Sequence, residues 1–483
     1  LPMNIRLPVN LRPAPEYLLP MNIRLPEDLR PAPEYRVPQD SRHRHLVTNR
    51  LLKYYCIVMV DLKFVKENIE QVKENIRNRY MDVDVDRILS LYDERSDLLR
   101  SVEDARQQRN ENAKKMKGRM EPEQRAALVR EGKQLKEKIA GLEEEFKSLD
   151  TQLQELARLI PNTSHPDAPL GKEEKDNLEI RRWGSPTEFA FDPKDHIELG
   201  VQLDLVDFET ATKVSGPKFY YLKNEAVLLE FALVRYALDV LRRKAYTITI
   251  TPDIAKEEIV EGIGFNPRGA ESNIYTIEDT GTCLVGTAEI TLGGYHSDSV
   301  LPAEDLPLRM AGVSHCFRRE AGAAGQFSKG LYRVHQFTKV EMFVYAHPDF
   351  SEQAHLELLA IEEEIFQGLE IPYRVVDTCT GDLGAPAYRK YDLEAWMPGR
   401  GEHGEWGEVT STSNCTDYQS RRLGVRYRED GKNRYVHMLN GTAIAVSRAI
   451  IAIIENNQQA DGSIKMPANL VPYTGFDTIA PRT

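Results

Sequence analysis

The sequence predicts an α+β chain, with an N-terminal antiparallel helical coiled-coil hairpin followed by a larger domain in which helices and strands alternate. Three observations carry this. Between positions 128 and 160 the apolar residues fall at Leu128, Leu135, Ile139, Leu142, Phe146, Leu149, Leu153, Leu156 and Ile160. After one interval of seven the steps alternate four and three, which is the a/d seam of a coiled coil. Just before this run, Gly118 and Pro122 interrupt the helical pattern, and two helices of similar length joined by a tight break must fold back on one another. Beyond residue 165, segments of helical period give way to strand-like ones such as 246–252 (YTITITP) and 331–337.

Composition narrows the function. A chain of 483 residues is long for one domain. Its apolar fraction of 41% and charged fraction of 29% are ordinary for a globular protein. No run reaches the roughly 18 to 20 apolar residues that cross a bilayer, so no membrane partner is expected. Cys56, Cys283, Cys316, Cys379 and Cys415 are scattered without a C-x-x-C pair. Neither a disulfide framework nor a zinc site is expected, and the pattern fits a reducing compartment. A net charge of −12 argues against binding nucleic acid over the whole surface, so any such contact needs a local concentration of Lys and Arg.

In chain order, residues 1–58 stand apart. Residues 1–17 recur as 19–35, differing only where Val9-Asn10 becomes Glu27-Asp28. A Pro-dense repeat with little to bury is expected to be disordered, or to be an upstream extension of the true reading frame. Its acids (Glu16, Glu27, Asp28, Glu34, Asp40) are unlike a transit peptide. A short helical section is expected over 65–79. The first long helix, 85–116, carries a poorer seam: Leu91, Leu98, Val102, Ala105, then Arg109 and Asn112. About 32 residues at 1.5 Å each give an arm about 50 Å long.

The missing basic patch lies on this arm: from 106 to 138 there are eleven Lys or Arg against five Glu, a net of +6. Arg106, Arg109, Lys114, Lys115, Lys117 and Arg119 cluster toward the tip, where a phosphate backbone could meet them without sequence readout. The polar, Pro/Gly-punctuated stretch 161–186 reads as a linker. A boundary near 165 would divide an arm domain, 59–165, from a second domain, 166–483. There, 225–244 is an amphipathic helix and 246–252 a strand closed by proline.

The stretch 317–341 reads FRREAGAAGQFSKGLYRVHQFTKVE. It predicts a long hairpin: a strand, a Gly-rich loop at 321–325, and a returning strand at 331–337. Arg318 and Arg333 would face each other with Glu320 and Glu341 nearby. Guanidinium forks suit phosphate oxygens, and carboxylates beside them suit an amine or a second cation. This hairpin resembles motif 2 of the class II aminoacyl-tRNA synthetases, in the wording of the seryl-tRNA synthetases. Other patches share the resemblance: 286–289 (GTAE), 378–384 (TCTGDLG), 408–415 (EVTSTSNC), and 439–442 (LNGT) with Arg448 in the region of motif 3.

The resemblance implies a class II catalytic domain built on an antiparallel β-sheet flanked by helices, with 225–252 as motif 1 at a homodimer interface. It implies that the arm reaches toward tRNA-Ser (and tRNA-Sec where present). It also implies ATP-dependent activation of L-serine and transfer to that tRNA. Met59 resembles the start of a bacterial-type enzyme, which implies a cytoplasmic protein, or an organellar one if the source is eukaryotic.

The resemblance assigns roles residue by residue. Arg318, Arg448 and Glu408 are the catalytic residues. Arg318 holds the α-phosphate and the serine carboxylate, Glu320 accepts from the adenine amino group, and Phe337 stacks on the ring. Arg448 holds the γ-phosphate or covers adenine on its other face. Arg333, Val334, Val409 and Thr410 complete the ATP site. Glu408 and Ser411 carry Mg²⁺, a hard ion that prefers oxygen ligands. Glu341 and Thr442 read the serine hydroxyl and amine, with Thr287, Ala288, Glu289 and Asn440 completing the pocket. Two departures stand out. Motif 3 keeps only Gly441 and Arg448, with Ser447 where an acid or glycine is common, and 262–269 (GIGFNPRG) is atypical. Two rivals make different demands. A carrier-protein aminoacylating enzyme would lack the arm. A catalytically inactive paralogue would be expected to have lost Arg318, Glu320, Glu408 or Arg448, and all four are present.

Overall fold

The computed structural model describes residues 61–118, 120–267, 272–321 and 329–482. The repeat at 1–58, Arg119, part of 262–269 and most of the Gly-rich loop lie outside them. Asp61 opens α1 (Leu62–Glu67) by accepting from the Lys63 and Phe64 amides. α2 (Ile69–Asn78) follows a break at Asn68, so the expected single helix over 65–79 is two.

The hairpin arm is α3 (Val85–Lys115) and α4 (Pro122–Ala157). Asp84 caps α3 by accepting from the Arg87 amide at 2.9 Å, and Pro122 sits in the first turn of α4, where its missing N–H costs nothing. The seam falls where the heptads put it: Leu91, Val102, Ala105, Leu135, Ile139 and Leu153 are buried. Arg109 is the exception. It is exposed rather than in the seam, because a buried guanidinium there would have no partner to offset its desolvation. Asn112 is 2% exposed, and its amide donates to Glu131 at 2.7 Å, so this polar seam position is satisfied.

The arm is locked at its base. Arg79, 3% exposed, donates to the carbonyls of Ala385 at 3.2 Å, Gly384 at 3.1 Å and Ala387 at 2.6 Å. Asn162 donates to the Pro386 and Cys415 carbonyls, both at 2.9 Å.

The stretch 161–186 is not all linker, since it contains β1 (Leu178–Trp183). Every residue of that strand is exposed, so its sequence lacks the alternation that marks a half-buried strand. It is an edge strand, tied down by the Arg181–Glu363 and Arg374–Glu179 ion pairs. After α5 (His196–Gln202) and α6 (Glu225–Arg243) come β2 (Thr247–Ile250) and the short α7 (Glu289–Gly293). Then follow β3 (Leu308–Phe317), β4 (Gln336–Ala346), α8 (Ser351–Gly368), β5 (Tyr373–Asp377), β6 (Arg389–Met397), β7 (Glu405–Asn414), β8 (His437–Ala445) and α9 (Val446–Asn456).

The eight strands form one sheet in the order β1-β5-β6-β7-β8-β4-β3-β2. Every neighbouring pair is antiparallel except β2 beside β3. One face carries Val340, Met342, Val344, Tyr391, Leu393 and Ala395, which form a core with residues of α6, α8 and α9. The returning strand of the hairpin starts at Gln336, five residues later than the alternation of 331–337 implies. Leu331 and Val334 are buried there without belonging to the strand.

Truncating Arg79 to Ala strands three carbonyls at the base of the arm. The Arg79→Ala variant is expected to lose about 3 kcal/mol of stability, read as a lower urea midpoint. An unchanged midpoint would show that the arm is not held this way.

Candidate functional site

The second face of the sheet is apolar where Phe343 and Tyr345 join a separate core, but polar around Lys339 and Glu341, and the pairing register explains how. Phe337, Lys339 and Glu341 alternate along β4 onto this face. Directly opposite residues of paired strands share a face, so Thr442 joins Glu341, and Ser411 joins Asp392. Two register shifts matter. On β7 the pairing passes from Thr410 opposite Leu393 to Glu408 opposite Glu394, which leaves Val409 as an extra residue. Glu408 and Ser411 are three apart and would otherwise point to opposite faces; the bulge puts both on the polar one. A second shift on β8 skips Ala443 and sets Thr442 opposite Glu341.

One pocket gathers Arg318, Glu320, Arg333, Val334, Phe337, Glu408, Val409, Thr410, Thr442 and Arg448. Arg318 leaves the end of β3 with its amide bonded to the His335 carbonyl, its Nε donating to the Gly286 carbonyl at 3.2 Å and its guanidinium 5.3 Å from the Phe337 ring centre. Glu320 pairs with Arg333 at 3.2 Å. Arg448, in the first turn of α9, donates to the Glu408 carbonyl at 2.9 Å and meets its carboxylate at 3.2 Å. Burial works to raise the Glu408 pKa, but Arg448, Lys390 and Arg318 outweigh it and hold the carboxyl below its usual range.

Of the residues expected to hold serine, Arg318 and Thr442 line this pocket, while Glu341, Thr287, Ala288, Glu289 and Asn440 do not. Glu341, 1% exposed, pairs with Lys339 and accepts from the Thr442 hydroxyl at 3.4 Å. Glu289 accepts from Asn440 at 2.9 Å and from Gln419 at 2.8 Å. Its amide bonds the Thr287 hydroxyl at 3.2 Å, and Ala288, between them, is fully buried. Burial, with Glu341 nearby, pushes the Glu289 carboxyl up to about 7. Gly441 is closely approached: a Cβ on it would sit 3.1 Å from both Glu362 Oε1 and Thr412 Oγ1, so those side chains would have to shift by a few tenths of an ångström. Glu362, fully buried beneath the sheet, accepts from Thr410 at 2.9 Å, and burial raises its pKa well above the ordinary value.

Ser411 does not line the pocket. It shares the polar face with Glu408 and stands opposite Asp392, whose pKa burial raises and Lys390 opposes. Among the described residues no cluster of three His, Cys, Asp or Glu is arranged to hold a metal ion. Two oxygen donors, the Glu408 carboxylate and the Ser411 hydroxyl, fit a Mg²⁺ that keeps its remaining ligands from phosphates and water.

On the arm, Arg109, Lys114, Lys115 and Lys117 are exposed, while Arg106 is half-buried against Glu143 at 2.8 Å. Arg119 lies outside the described residues.

The pocket also includes Tyr332, Lys339, Ala445 and Ser447, none of which the sequence reading assigned a role. Lys339 had a signal, since it stands two residues from Glu341 on a strand and so shares its face. Gln419 had none. Among the described residues no helix is long and apolar enough to cross a membrane.

Comparison with known proteins gives consistent results. Residues 59–164 match the model of the seryl-tRNA synthetase N-terminal domain, and residues 275–457 that of the tRNA synthetase class II core domain (G, H, P, S and T). The chain is 64% identical over 422 residues to the serine–tRNA ligase of Treponema denticola, covering 87% of this chain and 100% of that one. It is 57% identical over 424 residues to that of Borrelia recurrentis, covering 88% and 100%. A crystal structure of seryl-tRNA synthetase from Pyrococcus horikoshii complexed with ATP superposes with a TM-score of 0.79 at 42% identity, covering 88% of this chain and 100% of that chain. The cytoplasmic serine–tRNA ligase of Naegleria fowleri in complex with AMP gives 0.74 at 32% identity, covering 86% and 96%.

Glu289 sets a pH dependence. Its folded pKa of about 7 lies above the ordinary value of 4.5, so the native state binds this proton more tightly than the unfolded chain. The associated stability is present in full at low pH, falls as pH rises between those two values, and is gone above about 7. Glu289→Gln keeps the shape and removes the titration. Urea midpoints measured from pH 5 to 8 should show wild type losing stability relative to Glu289→Gln as pH rises. Parallel curves would show that Glu289 does not carry this proton.

Proposed function

The chain belongs to the seryl-tRNA synthetase family of class II enzymes, and we propose that its polar pocket is the site of serine activation. It is a serine–tRNA ligase, which joins L-serine to ATP as seryl-adenylate and passes serine to tRNA. The observation that carries the site assignment is the convergence of Arg318, Glu320, Glu408 and Arg448 in one pocket, drawn from three separate stretches of chain.

A serine carboxylate oxygen attacks the α-phosphorus of ATP, the bond to the bridging oxygen breaks, and pyrophosphate leaves with the electron pair. A hydroxyl of the terminal ribose of tRNA then attacks the serine carbonyl and releases AMP. Neither step uses a protein nucleophile, so the residues act by alignment and charge neutralisation. Arg318 spans the serine carboxylate and the α-phosphate, drawing the reacting atoms together. Phe337 and Glu320 take the adenine, and Arg448 takes the phosphate tail or the outer face of the base. Glu408 and Ser411 would hold Mg²⁺, which supplies charge to the phosphates. Glu341 and Thr442 read the serine hydroxyl and amine, alongside Glu289, Thr287, Ala288 and Asn440. A buried set of this kind rejects alanine, because the missing hydroxyl leaves partners unpaired.

The wider organisation belongs to the same reading. Residues 59–165 form the tRNA-binding arm and 166–483 the catalytic domain. Arg109, Lys114, Lys115 and Lys117 approach the phosphates of tRNA-Ser. The enzyme works as a cytoplasmic homodimer. The exposed apolar side chains Phe231, at 68%, and Ile250, at 88%, on α6 and β2 support a partner copy at that surface.

Two experiments test this. Arg318→Ala should keep its fold and lose serine-dependent ATP–pyrophosphate exchange by 10² to 10³ or more, as removal of a main electrostatic stabiliser does; near-normal exchange in a folded variant contradicts the site. Replacing residues 106–138 by a short Gly-containing turn should leave exchange close to wild type. The same change should weaken tRNA-Ser charging and flatten its salt dependence. Unchanged charging together with impaired exchange would show that the arm serves the catalytic domain rather than tRNA.

A further inference from the structure

Tyr332 forms a wall between two cavities. It lines the pocket that holds Arg318, Glu408 and Arg448, and it also lines a neighbouring cavity of about 440 Å³ with Arg400 and Lys329. Its ring carries two guanidinium groups, Arg448 at 4.7 Å and Arg400 at 4.8 Å from the ring centre. Its hydroxyl donates to the Glu408 carbonyl at 3.4 Å, the same carbonyl that accepts from Arg448 at 2.9 Å.

These contacts differ in what they leave free. The Glu408 carboxylate, 3.2 Å from Arg448, occupies N–H groups that a phosphate would need. It is also the carboxylate assigned to Mg²⁺, so a nucleotide with its metal ion would draw on both partners of that pair. A cation–π contact of this kind, with the guanidinium carbon 4.7 Å from the ring centre, uses none of the N–H donors that phosphate oxygens would take. The ring therefore orients Arg448 without competing with the ligand. Arg400, on the loop between β6 and β7, bears on the same ring from the neighbouring cavity and restrains it from turning away.

We propose that Tyr332 is a positioning residue for Arg448, holding that guanidinium ready for ATP; this rests on the ATP reading of the pocket given above. The residue acts through Arg448 and on the ATP side of the reaction, so its loss shows in the KM for ATP while the serine side stays intact.

The test is steady-state ATP–pyrophosphate exchange on the full chain, with active sites counted by single-turnover adenylate formation. Tyr332→Leu should raise KM for ATP about tenfold, with KM for serine within about twofold of wild type. Tyr332→Phe keeps the ring and should recover most of the loss. Should the Leu variant fail to fold, Tyr332→Met removes the ring with a more adaptable side chain. An unchanged KM for ATP in the Leu or Met variant overturns the proposal, as does a Phe variant as impaired as they are. Arg448→Ala separates this from the parent reading. If Arg448→Ala is inactive while Tyr332→Leu is normal, only the positioning role falls. If Arg448→Ala itself exchanges normally, the ATP reading of the pocket falls with it.

Discussion

Side chains along a strand alternate between two faces, and two one-residue bulges bring the polar groups of the candidate site onto one of them. The bulge at Val409 turns a spacing of three, Glu408 to Ser411, into neighbours on the polar face. The one at Ala443 brings Thr442 opposite Glu341. A single slip of register would send these groups into the packed core of α6, α8 and α9 and bring core residues into the pocket. The antiparallel ladder on either side fixes that register over many residues, so the site inherits its geometry from the sheet.

Concentrating acids and bases on a half-buried face is costly unless each has a partner. Here the partners are built in: Lys339 for Glu341, Arg448 for Glu408, Lys390 for Asp392, and the amides of Asn440 and Gln419 for Glu289. On the function proposed above, several of these pairs involve the groups that a nucleotide, a metal ion and an ammonium group would use. Tyr332 differs because its grip on Arg448 does not have to be released.

Much of this was legible in the sequence, for identifiable reasons. The arm was, because a heptad seam is a strictly local pattern and nine apolar positions repeat it. The candidate site residues were singled out because their wording resembles a family, and the gathering of several of them in one pocket is a fact of the fold. What escaped had no local signature. A bulge is set by the partner strand and cannot be read from either strand alone. β1 is exposed throughout, so the usual alternation was absent, and its hydrogen bonds come from β5 far along the chain. The segment 331–335 precedes the strand, and its apolar residues Leu331 and Val334 are buried there without belonging to it. Arg109 sits at a heptad position but faces water, since periodicity ranks positions and desolvation decides which of them are filled.

The central claim is that one face of this sheet joins a polyphosphate site to a buried pocket that recognises a small hydroxylated amino acid. The most direct measurement is ATP–pyrophosphate exchange by the wild-type protein, with serine, threonine, cysteine and alanine supplied one at a time. Serine should support exchange, with kcat/KM for alanine lower by about 10³ or more, since the polar groups of the pocket would be left without the hydroxyl. Exchange of similar efficiency with alanine, or none with any of the four, would contradict the account.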